Sequence, residues 1–159
     1  MNKVCLCVAL GVCLIGLAAQ AQSQSGRKPG LWEVTSSMSM SGGPQAMPQM
    51  PARTTQVCVT QAMIDKYGGP TSNPPQGQCQ MTNVSLTASG MTASLSCTGK
   101  TSMTGTVQTT FVDANTTKTT MQMNMAMGAN TMTMTMQATA SYKGSDCGSV
   151  QPMTMPADK

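Results

Sequence analysis

The sequence predicts an all-β protein, and three observations carry the assignment. Apolar side chains recur at every second position over long stretches, threonine and serine fill the positions between them, and clusters of glycine, proline and asparagine punctuate the runs. A helix would place apolar residues three and four apart, whereas a half-buried strand alternates with period two, and β-branched threonine fits that geometry best. The expected architecture is a curved antiparallel meander of about seven strands, rolled toward a half-barrel, with one short helix and a cleaved signal peptide in front.

The opening segment reads as export machinery. Lys3 is followed by apolar residues 4–17 and then by Ala19-Gln20-Ala21. A bilayer-spanning helix needs roughly 20 apolar residues; a shorter run ending in small residues two apart is a secretory signal. Cleavage is expected before Gln22. Cys13 has residues 14–17 of the apolar run still to come, the wrong place for lipid attachment. The expected organisation is a signal peptide over 1–21, a flexible leader over 22–28, one β-rich disulfide-bearing domain over 29–148, and a tail over 149–159. The processed chain is expected to be soluble, and periplasmic or secreted.

Within the domain, Trp32, Val34, Met38 and Met40 share one parity and Glu33, Thr35, Ser37 and Ser39 the other, which describes a first strand from Leu31. Residues 42–51 (GGPQAMPQMP) predict a loop, followed by a short strand over 54–59. Thr60 is placed to cap a helix over Gln61–Tyr67 that Gly68-Gly69-Pro70 closes. Residues 70–78 form a second Pro-rich loop. Val84, Leu86 and Ala88, then Met91, Ala93, Leu95 and Cys97, flank a turn at Ser89-Gly90. Met103, Val107, Thr109 and Phe111 carry the next strand up to residues 113–115. Met121, Met123, Met125 and Met127 then alternate up to a turn at 128–130, and Met132, Met134, Met136, Ala138, Ala140 and Tyr142 alternate after it.

Cys58, Cys79, Cys97 and Cys147 remain after signal removal, an even count that predicts two disulfides in an oxidising compartment. Three pairings are possible for four cysteines. Choosing the most local closures gives Cys58–Cys79 and Cys97–Cys147. A zinc site is not expected, because the cysteines are widely spaced and the chain has no histidine.

The opening Lys28-Pro29-Gly30-Leu31-Trp32-Glu33-Val34, the Met/Pro-rich loop with Met47-Pro48-Gln49-Met50-Pro51, and Gln56-Val57-Cys58-Val59-Thr60 resemble the domain of unknown function 3617 family of small exported bacterial proteins. Cys79, Cys97, Met103-Thr104-Gly105 and Cys147 after Tyr142-Lys143-Gly144 extend the resemblance over about residues 28–147. It implies export and a compact β-domain with paired cysteines. It implies no activity, and no functional residue is carried over.

Several function classes lack their residues. Without histidine there is no Ser-His-Asp or Cys-His relay and no histidine metal site. The five acids, Glu33, Asp65, Asp113, Asp146 and Asp158, fall in strand, helix, turn and tail contexts that offer no carboxylate pair. Scattered charge with few aromatics excludes a nucleic-acid surface. A non-enzymatic domain with no cofactor is expected, binding a small apolar ligand or an envelope partner in the concavity of its sheet. Trp32, Glu33, Met47 and Met50 mark the candidate binding surface, and Phe111 a further lining residue; Glu33 itself reads as an outward residue of a half-buried strand. The alternative rests on methionine, 18 in all including Met1. Thioether sulfur is a soft ligand for Cu(I), so a copper binder or oxidant sink is the second reading. The strand methionines are expected to serve first as core.

The secreted form is predicted to begin at Gln22. Its intact mass checks this: retention of residues 1–21, or a lipid adduct on Cys13, would refute it.

Overall fold

The computed structural model describes residues 27–43, 50–70, 79–98, 102–127 and 130–152. The expected signal peptide, Met47 and the Pro-rich segment 71–78 lie outside the described residues. Seven strands and one helix follow in the order β1 (Gly30–Ser41), β2 (Met50–Val59), α1 (Gln61–Tyr67), β3 (Cys79–Leu86), β4 (Gly90–Cys97), β5 (Met103–Asp113), β6 (Thr116–Met127) and β7 (Asn130–Gly144). They form one sheet ordered β2-β1-β7-β6-β5-β4-β3. Every pairing is antiparallel. The all-β architecture expected from the alternation is therefore present, as a meander from β3 to β7 onto which β1 and then β2 are added.

The helix shows that the sheet is curved. A flat sheet of seven strands would be about 29 Å wide at ~4.8 Å per neighbour, and seven helical residues reach only about 10 Å. Yet α1 leaves edge strand β2 at Thr60 and ends at Gly68, where a Cβ would lie 2.7 Å from Leu86 Cδ1 on the opposite edge, β3, and 2.6 Å from Phe111 Cζ on β5. One short helix can touch both sides only if the sheet curls around it. The Thr60 hydroxyl accepts from Met63 N–H at 3.3 Å, and Gly68 closes the helix in the left-handed region at φ 76°, as the sequence predicts.

Register divides the concave face into rows. Beside Trp32 and Tyr142 comes the row Val34, Ala140, Thr117, Phe111, and next Ser36, Ala138, Thr119, Thr109, Met91. Small residues line this end because the helix fills it: Met63 and Ile64 pack with Trp32, Val34, Val57, Val59, Ala138 and Ala140 in one buried cluster. The Trp32 and Tyr142 rings meet edge to face at 5.5 Å. The opposite parity carries threonine, serine and glutamine outward.

Four expectations need correction. Cys58 bonds Cys147, and Cys79 bonds Cys97, so the local pairing is wrong. Cys79 and Cys97 stand directly opposite each other across the β3–β4 hairpin. The insertion of β1 between β2 and β7 carries the chain end back to Cys58. The register next to the Ser89-Gly90 turn points Cys97 at Gln80, and the shift between Thr82 and Ser85 moves Cys79 into that place. The leader does not extend to residue 28, because Arg27 is buried and the Lys28 carbonyl accepts from Trp32 Nε1 at 3.0 Å. After β7 the chain returns to β2, where Pro152 bridges to Cys58. Finally, β2 begins at Met50 and so includes Pro51, which an edge strand tolerates because a missing donor there costs no ladder bond. On β3, a register shift at 82–85 with Asn83 at φ 52° leaves Val84 exposed.

The two disulfides close loops of different length, 89 and 18 residues apart in sequence. On the loop-entropy scale they are worth about 4.5 and about 3 kcal/mol. Denaturant unfolding of Cys58→Ser/Cys147→Ser should show the larger loss, by about 1.5 kcal/mol over Cys79→Ser/Cys97→Ser; the reverse order would place the dominant constraint in the hairpin.

Candidate functional site

Beyond the end that α1 fills, the concave face is paved with methionine. Three rows follow from the register: Met38, Met136 and Met121; Met40, Met134 and Met123; and Met132, Met125 and Met103. Directly opposed residues of an antiparallel pair have Cβ atoms about 4.5–5.5 Å apart, so these side chains form a continuous grid over β1, β7, β6 and β5. The grid extends the core without being sealed by it. Met123 is buried at 6% exposure, and the other eight are half-buried. Met134, Met121 and Met103 pack on the Leu95, Cys97 and Met123 cluster. The expectation that the strand methionines serve as core thus describes Met91 on β4 and Met123 in full, while the other grid methionines are half-buried and keep one side open.

A groove of about 360 Å³ lies at the β1–β2 side of this grid, lined by Ser36, Met38, Met50, Arg53 and Met136 among others. It sits where β1 shifts register between Ser36 and Met38, a bulge that parts the two strands. The three described residues of the expected binding surface, Trp32, Glu33 and Met50, are not brought together. Met50 lines the groove. Trp32 is completely buried and so belongs to the core under the helix. Glu33 points to the convex face and pairs with Lys143 at 2.8 Å, which is the outward placement that strand alternation implies. Met47 lies outside the described residues.

At the helix end of the concavity are two polar groups that sequence reasoning missed. Arg27 is 6% exposed, and its guanidinium carbon lies 3.2 Å from the centroid of the Phe111 ring, against the Gly68-Gly69 backbone. All three of its side-chain nitrogens lack a hydrogen-bond partner. Burial lowers its pKa to about 10, which still leaves the group charged at neutral pH. Thr117, at 1% exposure, also has an unpartnered hydroxyl and stands opposite Phe111 in the register. The next row is satisfied, with the Thr109 and Thr119 hydroxyls 3.0 Å apart. In the sequence Arg27 is one scattered charge ahead of the opening motif, and nothing local marks it as buried.

Among the described residues, no group of three or more His, Cys, Asp or Glu could hold a metal ion, and no helix is long and apolar enough to cross a membrane. The family model described as Protein of unknown function (DUF3617) matches residues 27–147. The match runs from the buried arginine to the last disulfide cysteine. No curated protein and no solved structure matches the chain.

Met123 and Met134 are paired across β6 and β7 and separate core from metal-only roles. Replacing both with leucine roughly conserves volume and should cost under about 1.5 kcal/mol each. Replacing both with serine opens cavities and buries hydroxyls, and should cost about 3 kcal/mol or more in total. Thermal melts check this, and a serine variant melting like the parent would show that these side chains carry no packing.

Proposed function

The chain belongs to the DUF3617 family, whose description assigns no activity, and from its geometry we propose that it is a non-enzymatic, exported binding domain that holds a small apolar ligand on the methionine-paved part of its concave face. The observation that carries the reading is the grid itself: nine thioether side chains in three rows, eight of them half-buried, on the half of the concavity that the helix does not fill. Contiguous exposed apolar surface is costly in water and marks binding sites. Ligand sites are concave, mainly apolar and furnished with a few polar groups. Methionine suits such a floor because its flexible, polarisable chain repacks around different shapes. Export is part of the proposal; two disulfides and the signal-like opening support it.

A second reading has its own support. Each row places three thioethers on neighbouring strands, a soft donor set of the kind that takes Cu(I). Metal binding would be confined to one row, whereas an apolar ligand would feel all three.

A neutral apolar fluorophore such as N-phenyl-1-naphthylamine should brighten on the disulfide-bonded protein. Met38→Glu/Met136→Glu, placed at the groove and still folded by circular dichroism, should weaken it at least tenfold. Unchanged binding in that variant would refute the reading. Tight Cu(I) binding without any fluorophore binding would establish the alternative.

A further inference from the structure

We propose that the ligand is a single-chain amphiphile with a carboxylate head, that Arg27 and Thr117 receive the head, and that the methionine rows receive the chain; this rests on the apolar-ligand reading above.

The argument begins with charge. A guanidinium buried without a counter-ion costs several kcal/mol, and a native fold keeps such a group when something external completes it. The chain has five acidic residues, and the four that are described are engaged elsewhere. Glu33 pairs with Lys143 on the convex face. Asp65 accepts from Gln61 on the exposed side of α1, Asp113 from Asn115 N–H, and Asp146 from Gly148 N–H. Asp158 lies outside the described residues. No described carboxylate therefore pairs with Arg27, and an anion brought by a ligand would complete it.

The second group is Thr117. It neighbours Phe111, on which Arg27 stacks, and its hydroxyl has no partner. An anionic oxygen accepts from both a guanidinium and a hydroxyl, so one head group satisfies both orphans. The planar fork of arginine matches a carboxylate in two parallel hydrogen bonds. In the unliganded fold the guanidinium nitrogens are shut from solvent. Seating the head therefore means swinging the guanidinium on its flexible stem off the Phe111 ring and toward the methionine floor, exchanging a cation–π contact for a charge-assisted pair.

The chain then has a track. Along β6 the inward positions run Thr117, Thr119, Met121, Met123, Met125, about 26 Å at ~3.3 Å per residue. The polar positions come first and the thioethers after them, the order an amphiphile needs.

Displacement of the neutral fluorophore tests this with dodecanoate and dodecanol, equal in chain and different in charge. Dodecanoate should displace it at a concentration at least tenfold lower. Arg27→Gln should bring dodecanoate to the alcohol's level, and Lys118→Gln, at an exposed outward position of β6, should leave the ratio unchanged. If Arg27→Gln does not fold, Thr117→Val takes its place and should reduce the ratio severalfold. Equal displacement by acid and alcohol overturns the head-group assignment and leaves the apolar site standing. So does a ratio that survives Arg27→Gln, one that depends on Lys118, or displacement by dodecyl phosphate alone. A fluorophore that never binds the parent protein overturns the apolar site, and this inference with it.

Discussion

A helix of seven residues cannot cover the concave side of a sheet whose strands run to 15 residues, and the distribution of side chains follows from that mismatch. Under α1 the sheet must leave room, so it presents Ala138, Ala140, Thr117 and Thr119, and the one tryptophan fills the remaining space with its indole N–H bonded to the Lys28 carbonyl. Beyond α1 no described helix or strand outside the sheet covers this face. Leucine or isoleucine at every inward position there would make a stiff apolar surface, prone to pairing with another copy. Methionine is nearly as apolar but conformable, so its sulfurs can fold over one another in the free protein and open around a guest.

The same mismatch sets the electrostatics. Polar outward positions and turns absorb the described acids, and among the described residues the one buried charged group is a cation, Arg27. A structural role for Arg27 alone is a poor account of this. Its cation–π contact with Phe111 is worth about 2 kcal/mol when desolvated, less than the several kcal/mol that an unpaired buried charge costs. The balance turns favourable once an anion is present, and under the proposal above that is how the site would distinguish charged from neutral guests of equal length.

Much of this was legible in the chain. Period-two alternation placed most strands, the helix was bracketed by Thr60 and Gly68, and the inward parity of Met121, Met123 and Met125 and of Met132, Met134 and Met136 follows from counting. What failed depended on contacts between distant segments or on a local break in register. The disulfide partners could not be read from closure length, because β1 adds to β7 rather than to β3 and carries Cys58 to Cys147. Val84 was misplaced because a bulge at Asn83 reverses the parity of β3. Trp32 looked like a binding residue because aromatic character does not distinguish core from surface. Arg27 stayed hidden because its burial comes from Phe111 and Gly68, 84 and 41 positions further along the chain.

The disulfides complete the logic of an open sheet. A curled but unclosed sheet has two edges, β2 and β3, whose backbone groups invite fraying or pairing with another chain. Closing the barrel would remove the edges but would also shut the concavity. Here each edge is pinned separately. Cys58–Cys147 fixes β2 at the helix end, and Cys79–Cys97 fixes β3 in line with the last methionine row, next to Met103. The covalent bonds thus do at the edges what hydrogen bonding would do in a closed barrel, and the mouth between them stays free. The two disulfides that pin the edges are favoured by an oxidising environment, so under the proposed function the chemistry that stabilises the fold and the setting in which it would bind a guest are the same constraint.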